Sequence, residues 1–197
     1  MEVNCKGDVK MTKNYEPRHI ALAISIVIAI LSLFLIIFIP QTVADIVHYS
    51  SGVWHVFVPK ENLIVYGIGF FLLFLASLIL FIFNMKKRGI YLSIACVLLS
   101  LIPFYMGSQS YLIFSNDSIS LSPILSSKVT DYTWNDVKSV TFYEGEEGER
   151  SEYVFIFHDG HSITLEDNAY FQKIVTNLEI KLAEVNLRVD RVMLDSH

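Results

Sequence analysis

Two histidines flank a tight turn in "HDGH", residues 158 to 161, and are the first residues here whose types could do chemistry. Imidazoles on the two strands of a hairpin can hold a zinc ion, but a zinc site needs at least a third protein ligand. Asp159 lies within the turn itself, so its carboxylate is poorly placed to be that ligand. The pattern favours an Asp-Gly hairpin turn at Asp159 and Gly160 over a metal centre.

A second group of metal-ligand residue types lies in residues 40–61. His48 and His55 accompany Asp45 there, but their spacing matches no compact metal motif. The stretch is more apolar than a solvated loop, and three aromatic residues in it suit the membrane–water interface: Tyr49, Trp54 and Phe57. We expect this loop to rest on the membrane surface or on the domain that follows it.

Carboxylates are concentrated in "EGEEGERSE", residues 144 to 152. Such a loop could bind calcium, but an EF-hand loop needs alternating Asp or Asn residues and a glycine at its sixth position. The pattern favours a solvated hairpin loop. The glutamates concerned are Glu144, Glu146, Glu147, Glu149 and Glu152.

No set of residues for nucleophilic catalysis accompanies these candidates. The sequence has no G-x-S-x-G, no Walker loop and no H-E-x-x-H, and residues 108–197 contain no cysteine. We therefore expect no enzymatic activity, no metal site and no cofactor.

Three long apolar segments form the framework that must position these polar residues. Residues 20–39, 62–83 and 89–107 contain no Asp, Glu, Lys or Arg. A helix needs about 20 apolar residues to cross a hydrocarbon core of roughly 30 Å, and these segments are of that length. The sequence predicts an N-terminal tail (1–19), a three-helix transmembrane region (20–107) and an aqueous domain (108–197). The first segment is longer than a signal-peptide core, which favours an uncleaved anchor.

Basic residues predict the orientation, because Lys and Arg in short loops prefer the cytoplasm. Four precede the first segment, and "KKR" at 86–88 separates the second from the third. This places the N-terminus inside and the domain outside the cytoplasm. If the third segment is re-entrant, the domain returns to the cytoplasmic side.

Small residues recur four apart in the first segment, at Ala21, Ser25 and Ala29. This spacing lets helices approach closely, either within the three-helix region or between copies in a homo-oligomer. The segments lack ionisable residues, which argues against an ion-coupled transporter.

The aqueous domain has a pattern of short strands followed by one helix. Alternating or β-rich segments predict strands at 111–114, 119–121, 137–143, 152–158 and 162–165. Apolar residues at three- and four-residue spacing then predict an amphipathic helix over 169–186, with Asp167 or Asn168 as its cap.

Together "YLIFSNDSISL", "YTWNDVKSVTF" and "VFIFHDGHSITL" resemble the bacterial pleckstrin-homology-like domains that are attached to membrane helices. The resemblance covers residues 108–186 and includes a W-x-D-V-x-x-V element. It implies an α+β fold, a small antiparallel barrel or sandwich of about seven strands that a C-terminal helix caps. It also implies structural roles for the pattern residues, which are Trp134, Asp136, Val137, Val140, Asp159 and Gly160.

Charge restricts the partners of this domain. Residues 108–197 contain 15 acidic and seven basic side chains, a net charge of −8. Phosphoinositides and nucleic acids need a basic patch, so we expect neither. The leading hypothesis is a non-catalytic interaction or assembly module that binds a protein. The alternatives are an envelope accessory or protective factor (for immunity, resistance or secretion) and an accessory subunit of a transporter or channel.

Overall fold

The computed structural model of the protein describes residues 16–124, 129–145 and 150–193. It divides into two compact units. We call the first, Met1–Phe38 with Leu63–Tyr105, the helical unit, and the second, Ile39–Asn62 with Met106–His197, the sheet unit. The expected boundary at residue 108 therefore does not coincide with the sheet unit, which also contains the segment between the first two helices.

Three long helices account for the apolar segments. They are α1 (Pro17–His48), α2 (Glu61–Ile82) and α3 (Lys87–Ser108). All three are long and apolar enough to cross a membrane, judged by length and composition. The predicted segments 62–83 and 89–107 agree with α2 and α3 to within two residues.

Helix α1 extends well past the predicted end at residue 39. It continues through Pro40 to His48 and has 32 residues, which at 1.5 Å each exceeds the roughly 30 Å of a hydrocarbon core. The residues from Ile39 onward belong to the sheet unit. There Ala44 is only 3% exposed, so this end of α1 packs within the sheet unit.

Packing within the helical unit uses the small residues. Ala21 and Ser25 are buried, whereas Ala29 is exposed. The Ser77 hydroxyl donates to the carbonyl of Ala21 at 2.7 Å, which joins α2 to α1. Close approach within this unit explains two of the three small residues in α1, while self-association stays a prediction.

The first sheet is antiparallel and has the order β1-β2-β3-β4. Its strands are β1 (Val53–Phe57), β2 (Tyr111–Ser115), β3 (Ser118–Ser122) and β4 (Thr130–Thr133). Strand β1 comes from the loop between α1 and α2, and its His55 lies opposite Phe114 of β2. The loop therefore lies on the domain that follows it, which was the second of the two expected places, and it adds a strand to the sheet.

The second sheet has the order β7-β6-β5-β8. It contains β5 (Val137–Glu144), β6 (Glu152–Phe157), β7 (Ser162–Glu166) and β8 (Val189–Met193). Strand β8, which the sequence analysis did not predict, pairs with β5 in parallel. Within the described residues the two sheets stay separate, so the fold is an α+β sandwich and no barrel closure is seen.

Aromatic and aliphatic side chains from both sheets share one core. Phe114 of β2 lies 5.4 Å from Phe155 of β6, measured between ring centroids, and both are fully buried. Helix α4 (Val175–Glu184) covers this core with Leu178 and Leu182, which are at most 1% exposed.

The C-terminal helix is shorter than the predicted 169–186. A separate turn of 3-10 helix at Phe171–Lys173 precedes α4. The side-chain oxygen of Asn168 accepts from the N–H groups of Tyr170 and Phe171, at 2.9 and 3.1 Å, where this turn begins. Asn168 thus caps only the turn that leads into the 3-10 helix, whereas the N-cap of α4 is Ile174, which makes no side-chain capping bond, so the expected cap of the helix at Asp167 or Asn168 is wrong for α4. The helix ends before Asn186, whose φ of 59° is left-handed.

Candidate functional site: a groove beside a free sheet edge

Trp134 lies in the core between the sheets. Its side chain is 3% exposed, and its indole N–H donates to the carbonyl of Ser115 at 3.2 Å. Its ring stacks on Trp54 of β1 with centroids 5.3 Å apart. The Trp54 indole N–H in turn donates to Asn116 at 2.6 Å. Both tryptophans of the chain therefore lie in one cluster that joins the inter-helix strand to the rest of the sheet unit.

Asp136 organises the link between the two sheets. Its carboxylate accepts from the hydroxyl and from the N–H of Thr133, at 2.7 and 2.8 Å, and so closes the 3-10 turn at Trp134–Asp136. These two hydrogen bonds favour the charged form and lower the pKa of Asp136. The next pattern residues, Val137 and Val140, are buried at 3% and 0% exposure.

Asp159 and Gly160 form the predicted hairpin turn. Gly160 has a φ of 87°, which a residue with a side chain rarely adopts. The Asp159 carboxylate accepts from the N–H of His161 at 2.9 Å and from the hydroxyl of Tyr132 at 2.9 Å. The N–H of His161 is the main cause of the lowered pKa of Asp159, and the His161 side chain adds to it.

Of the six pattern residues, Asp136 and Asp159 make the hydrogen bonds that connect the two sheets at one end of the sandwich. The Tyr132 bond joins β4 to the β6–β7 turn, and the N–H of His158 donates to the carbonyl of Asp136 at 2.9 Å. They stabilise the junction of the two sheets, and no cavity is lined by them among those described.

The metal candidates stay apart in the structure. Over the described residues, no three His, Cys, Asp or Glu side chains form a group that could hold a metal ion. The His48 ring contacts the carbonyl of Ser108 at 2.9 Å, whereas the His55 ring stacks on Tyr170 with centroids 5.5 Å apart. Of the acidic loop, Glu146, Glu147 and Glu149 lie outside the described residues.

Within the described residues, one cavity that could hold a ligand is a groove of about 560 Å³ in the sheet unit. We call it the edge groove. Apolar side chains from both sheets form its floor: Phe57, Leu112, Leu121, Ile163 and Leu165. Polar side chains surround them: Gln41, Lys60, Glu61, Glu152, Thr164, Glu166, Asn168 and Tyr170. Three carboxylates and one ammonium group thus border an apolar floor.

Strand β7 lines the groove along its whole length and has a free edge. It pairs only with β6 in the part of the chain that is described. The carbonyl of His161 and the N–H of Asp167 bond toward β6, at 2.9 and 2.8 Å. Backbone groups alternate in direction along an antiparallel strand, so those of Ser162, Thr164 and Glu166 are directed toward the open side.

The other sheet edge beside the groove is covered. Strand β1 pairs with β2, and on its outer side the Gln41 amide donates to the carbonyl of Val56 at 2.9 Å. The same amide nitrogen donates to Asp45, also at 2.9 Å. The C-terminal end of α1 thus covers β1 at Val56, whereas no strand within residues 16–124, 129–145 and 150–193 pairs with the outer edge of β7.

An ion-paired carboxylate fixes one end of the groove. Glu166 accepts a hydrogen bond from Lys60, and Arg150 donates to both of its carboxylate oxygens at 2.9 Å. Hydrogen bonding to Lys60, followed by that to Arg150, lowers the pKa of Glu166. The pair with Lys60 connects the inter-helix segment to β7 at this end of the groove.

The sequence analysis did not identify the groove, because five of its sixteen lining residues come from residues 57–61. A strand signal was nevertheless present there. "VWHVF" is β-branched and aromatic, with Gly52 before it and Pro59 after it.

Comparison with known proteins gives little. No protein-family model matches the chain, and no curated protein matches it. Among solved structures, the Spt16D Pob3N heterodimer is similar with a TM-score of 0.32 and 9% identity, over 45% of this chain and 48% of that chain. The chain thus spans about half the length of that protein, and a likeness at this level is too weak to assign a fold or a function.

Proposed function

We propose that this is a multi-pass membrane protein without catalytic activity that uses the sheet unit as a pleckstrin-homology-like binding module. Its ligand is an extended segment of a partner protein, which adds to the free edge of β7 in the edge groove. The observation that carries this proposal is an unpaired strand edge lying beside an apolar floor.

Backbone pairing supplies affinity in this binding mode, and pockets for alternate side chains supply specificity. Every second residue of the segment would direct its N–H and C=O to the backbone of Ser162, Thr164 and Glu166. Side chains on one face would contact the apolar floor. The carboxylates of Glu61 and Glu152 favour a segment that also carries Lys or Arg.

Selection of peptides from a random library on the full-length protein in detergent tests the proposal. We expect binders with alternating apolar residues, and N-methylation of their backbone should abolish binding at every second position only. Equal sensitivity at all positions, or binding by helical peptides alone, would refute strand addition.

A matched pair of variants tests where the peptide binds. Leu121→Glu places a charge on the groove floor, whereas Ile113→Glu changes a partly buried residue of the neighbouring strand that lines a different cavity. We expect Leu121→Glu to weaken binding at least tenfold and Ile113→Glu to change it less than threefold. The reverse order would place the site elsewhere.

We further propose that the N-terminus is cytoplasmic and that the sheet unit lies outside the cytoplasm. Because β1 pairs with β2, the α1–α2 loop and the segment after α3 have to be on the same side. Helices α2 and α3 together then cross the membrane an even number of times. This supports a spanning α3 over a re-entrant one, and the "KKR" turn supports the orientation.

Cysteine labelling in intact cells tests this topology independently of any ligand. Single cysteines at the exposed positions Ser51, Ser162 and Lys87 would be placed in a chain lacking Cys5 and Cys96. We expect a membrane-impermeant thiol reagent to label the first two and to label position 87 only after permeabilisation. Labelling of Ser51 and Ser162 from opposite sides would contradict the strand pairing.

A further inference from the structure

The helical unit contains a second cavity, which is unrelated to the edge groove and has a different chemistry. It has a volume of about 320 Å³ and lies between the start of α1 and the α2–α3 turn. Its lining residues are Glu16, Pro17, Arg18, Asn84 and Met85. We call it the turn cavity.

Arg18 is the central polar group of the turn cavity. One of its terminal guanidinium nitrogens donates to the side-chain oxygen of Asn84 at 3.2 Å. Its Nε lies 2.6 Å from a carboxylate oxygen of Glu16, yet this buried nitrogen makes no hydrogen bond, so the angle between the two groups is unfavourable. The Arg18 side chain as a whole is 43% exposed, so a ligand can reach its guanidinium, and Glu16, 61% exposed, is an exchangeable partner.

The α2–α3 turn holds the Asn84 side chain in place. Asn84 and Met85 are both left-handed, with φ of 49° and 58°. The N–H of Met85 donates to the carbonyl of Leu80 at 3.0 Å and so terminates α2. The turn gives the cavity one polar wall at Asn84 and one apolar wall at Met85.

Charge near the turn cavity is strongly positive. Lys86, Lys87 and Arg88 follow the turn directly and are all exposed. Among the described residues at the start of α1 and after the turn, these three and Arg18 give four basic side chains against one carboxylate, that of Glu16. Because α2 ends and α3 begins here, and both are long enough to cross a membrane, these groups lie at the depth of lipid headgroups in a spanning arrangement.

We propose that the turn cavity binds the phosphodiester headgroup of an anionic phospholipid. The Arg18 guanidinium donates to the phosphate oxygens, the geometry for which arginine is best suited. The apolar walls at Pro17 and Met85 contact the glycerol and the start of the acyl chains. The three basic residues of the turn attract the net negative charge, which distinguishes this lipid from a zwitterionic one.

The experiment is native mass spectrometry of the delipidated full-length protein with phosphatidylglycerol or phosphatidylcholine of identical acyl chains. Each basic residue contributes about a fivefold change in affinity for an anionic headgroup. We expect phosphatidylglycerol to bind at least fivefold more tightly than phosphatidylcholine. Arg18→Gln should weaken the binding of both lipids, because both have the phosphate to which Arg18 donates, and by about fivefold for phosphatidylglycerol. Lys138→Gln, which removes an exposed lysine from β5, should leave both affinities unchanged. Equal affinity for the two lipids, or unchanged affinities in Arg18→Gln, would overturn the proposal.

A double variant and a competition experiment complete the test. If Arg18→Gln does not fold, the double variant Lys86→Gln, Lys87→Gln still tests the site. Its preference for phosphatidylglycerol over phosphatidylcholine should be at least fivefold smaller than that of the native protein. An unchanged preference would refute the site. Glycerol 3-phosphate, which has the same phosphate without acyl chains, should not compete at millimolar concentration. Competition by it would overturn the membrane source of the ligand.

Discussion

Replacement of Phe57 by alanine tests whether the inter-helix segment is a structural strand of the sheet unit. The Phe57 side chain is 8% exposed, and its ring packs edge-on against Phe114 with centroids 5.7 Å apart. Burying a phenylalanine contributes about 1.5–3 kcal/mol through transfer from water, and the cavity that its loss creates raises the total to about 3–5 kcal/mol. We expect a loss of that size in the free energy of unfolding.

Tryptophan fluorescence measures this loss of stability specifically in the sheet unit. The chain has two tryptophans, and Trp54 and Trp134 both lie in the sheet unit. A urea titration of the full-length protein in detergent therefore reports unfolding of that unit. With a slope of about 2 kcal/mol per molar urea, a loss of about 4 kcal/mol lowers the midpoint by roughly 2 M.

Phe34→Ala is the matched control for this prediction. Phe34 lies in α1 and is 60% exposed, so the same atoms are removed from a position outside the core of the sheet unit. We expect its urea midpoint to stay within about 0.3 M of the native one, since exposed substitutions usually change stability by no more than about 0.5 kcal/mol. If Phe57→Ala behaved like Phe34→Ala, the segment would not be part of the folded sheet and the reasoning would be refuted.

Three further predictions use the same titration. Burial lowers the pKa of His55 below 6.5 in the folded protein, so as the pH falls the unfolded chain binds the His55 proton before the folded protein does. The free energy of unfolding should therefore be constant above about pH 6.5 and fall below it. His55→Gln should remove this dependence on pH. Hydrogen bonds lower the pKa of Glu166, so Glu166→Gln should reduce stability at pH 7, and the difference from the native protein should vanish as the pH falls through the folded-state pKa. Asp136→Ala should lower the urea midpoint more than Asp136→Asn, because asparagine retains an acceptor for the capping bonds of the 3-10 turn. Equal midpoints for the two variants would show that those bonds contribute nothing to stability.

Local sequence patterns predicted the elements whose burial follows a simple period. The apolar segments correspond to α2 and α3, and the Asp-Gly turn joins β6 to β7 as expected. The stripe that predicted the C-terminal helix includes Leu178 and Leu182, both buried in the core. Each of these features depends on neighbours within a few residues, which a sequence shows directly.

The features that the sequence did not reveal depend on distant partners. Strand β1 pairs with residues about sixty positions later, and its aromatic residues suited a membrane interface as well as a core. Strand β8 is exposed from Asp190 to Met193 and joins β5 mainly through its backbone, so it has no buried alternation to recognise. The edge groove needs both β1 and β7 in place, and for that reason it was missed.

The same long-range pairing determines how the sheet unit can be studied. A fragment that begins at residue 108 lacks β1, and with it Val56 and Phe57, which are 0% and 8% exposed in the intact unit. It would expose the edge of β2 and the ring of Phe114 to water, and it would lose the Lys60 contact that holds Glu166 at the groove. Unpaired apolar edges of this kind promote aggregation. We therefore expect the fragment neither to fold as the intact unit does nor to bind peptides, because the sheet unit is completed only by the segment between the first two helices.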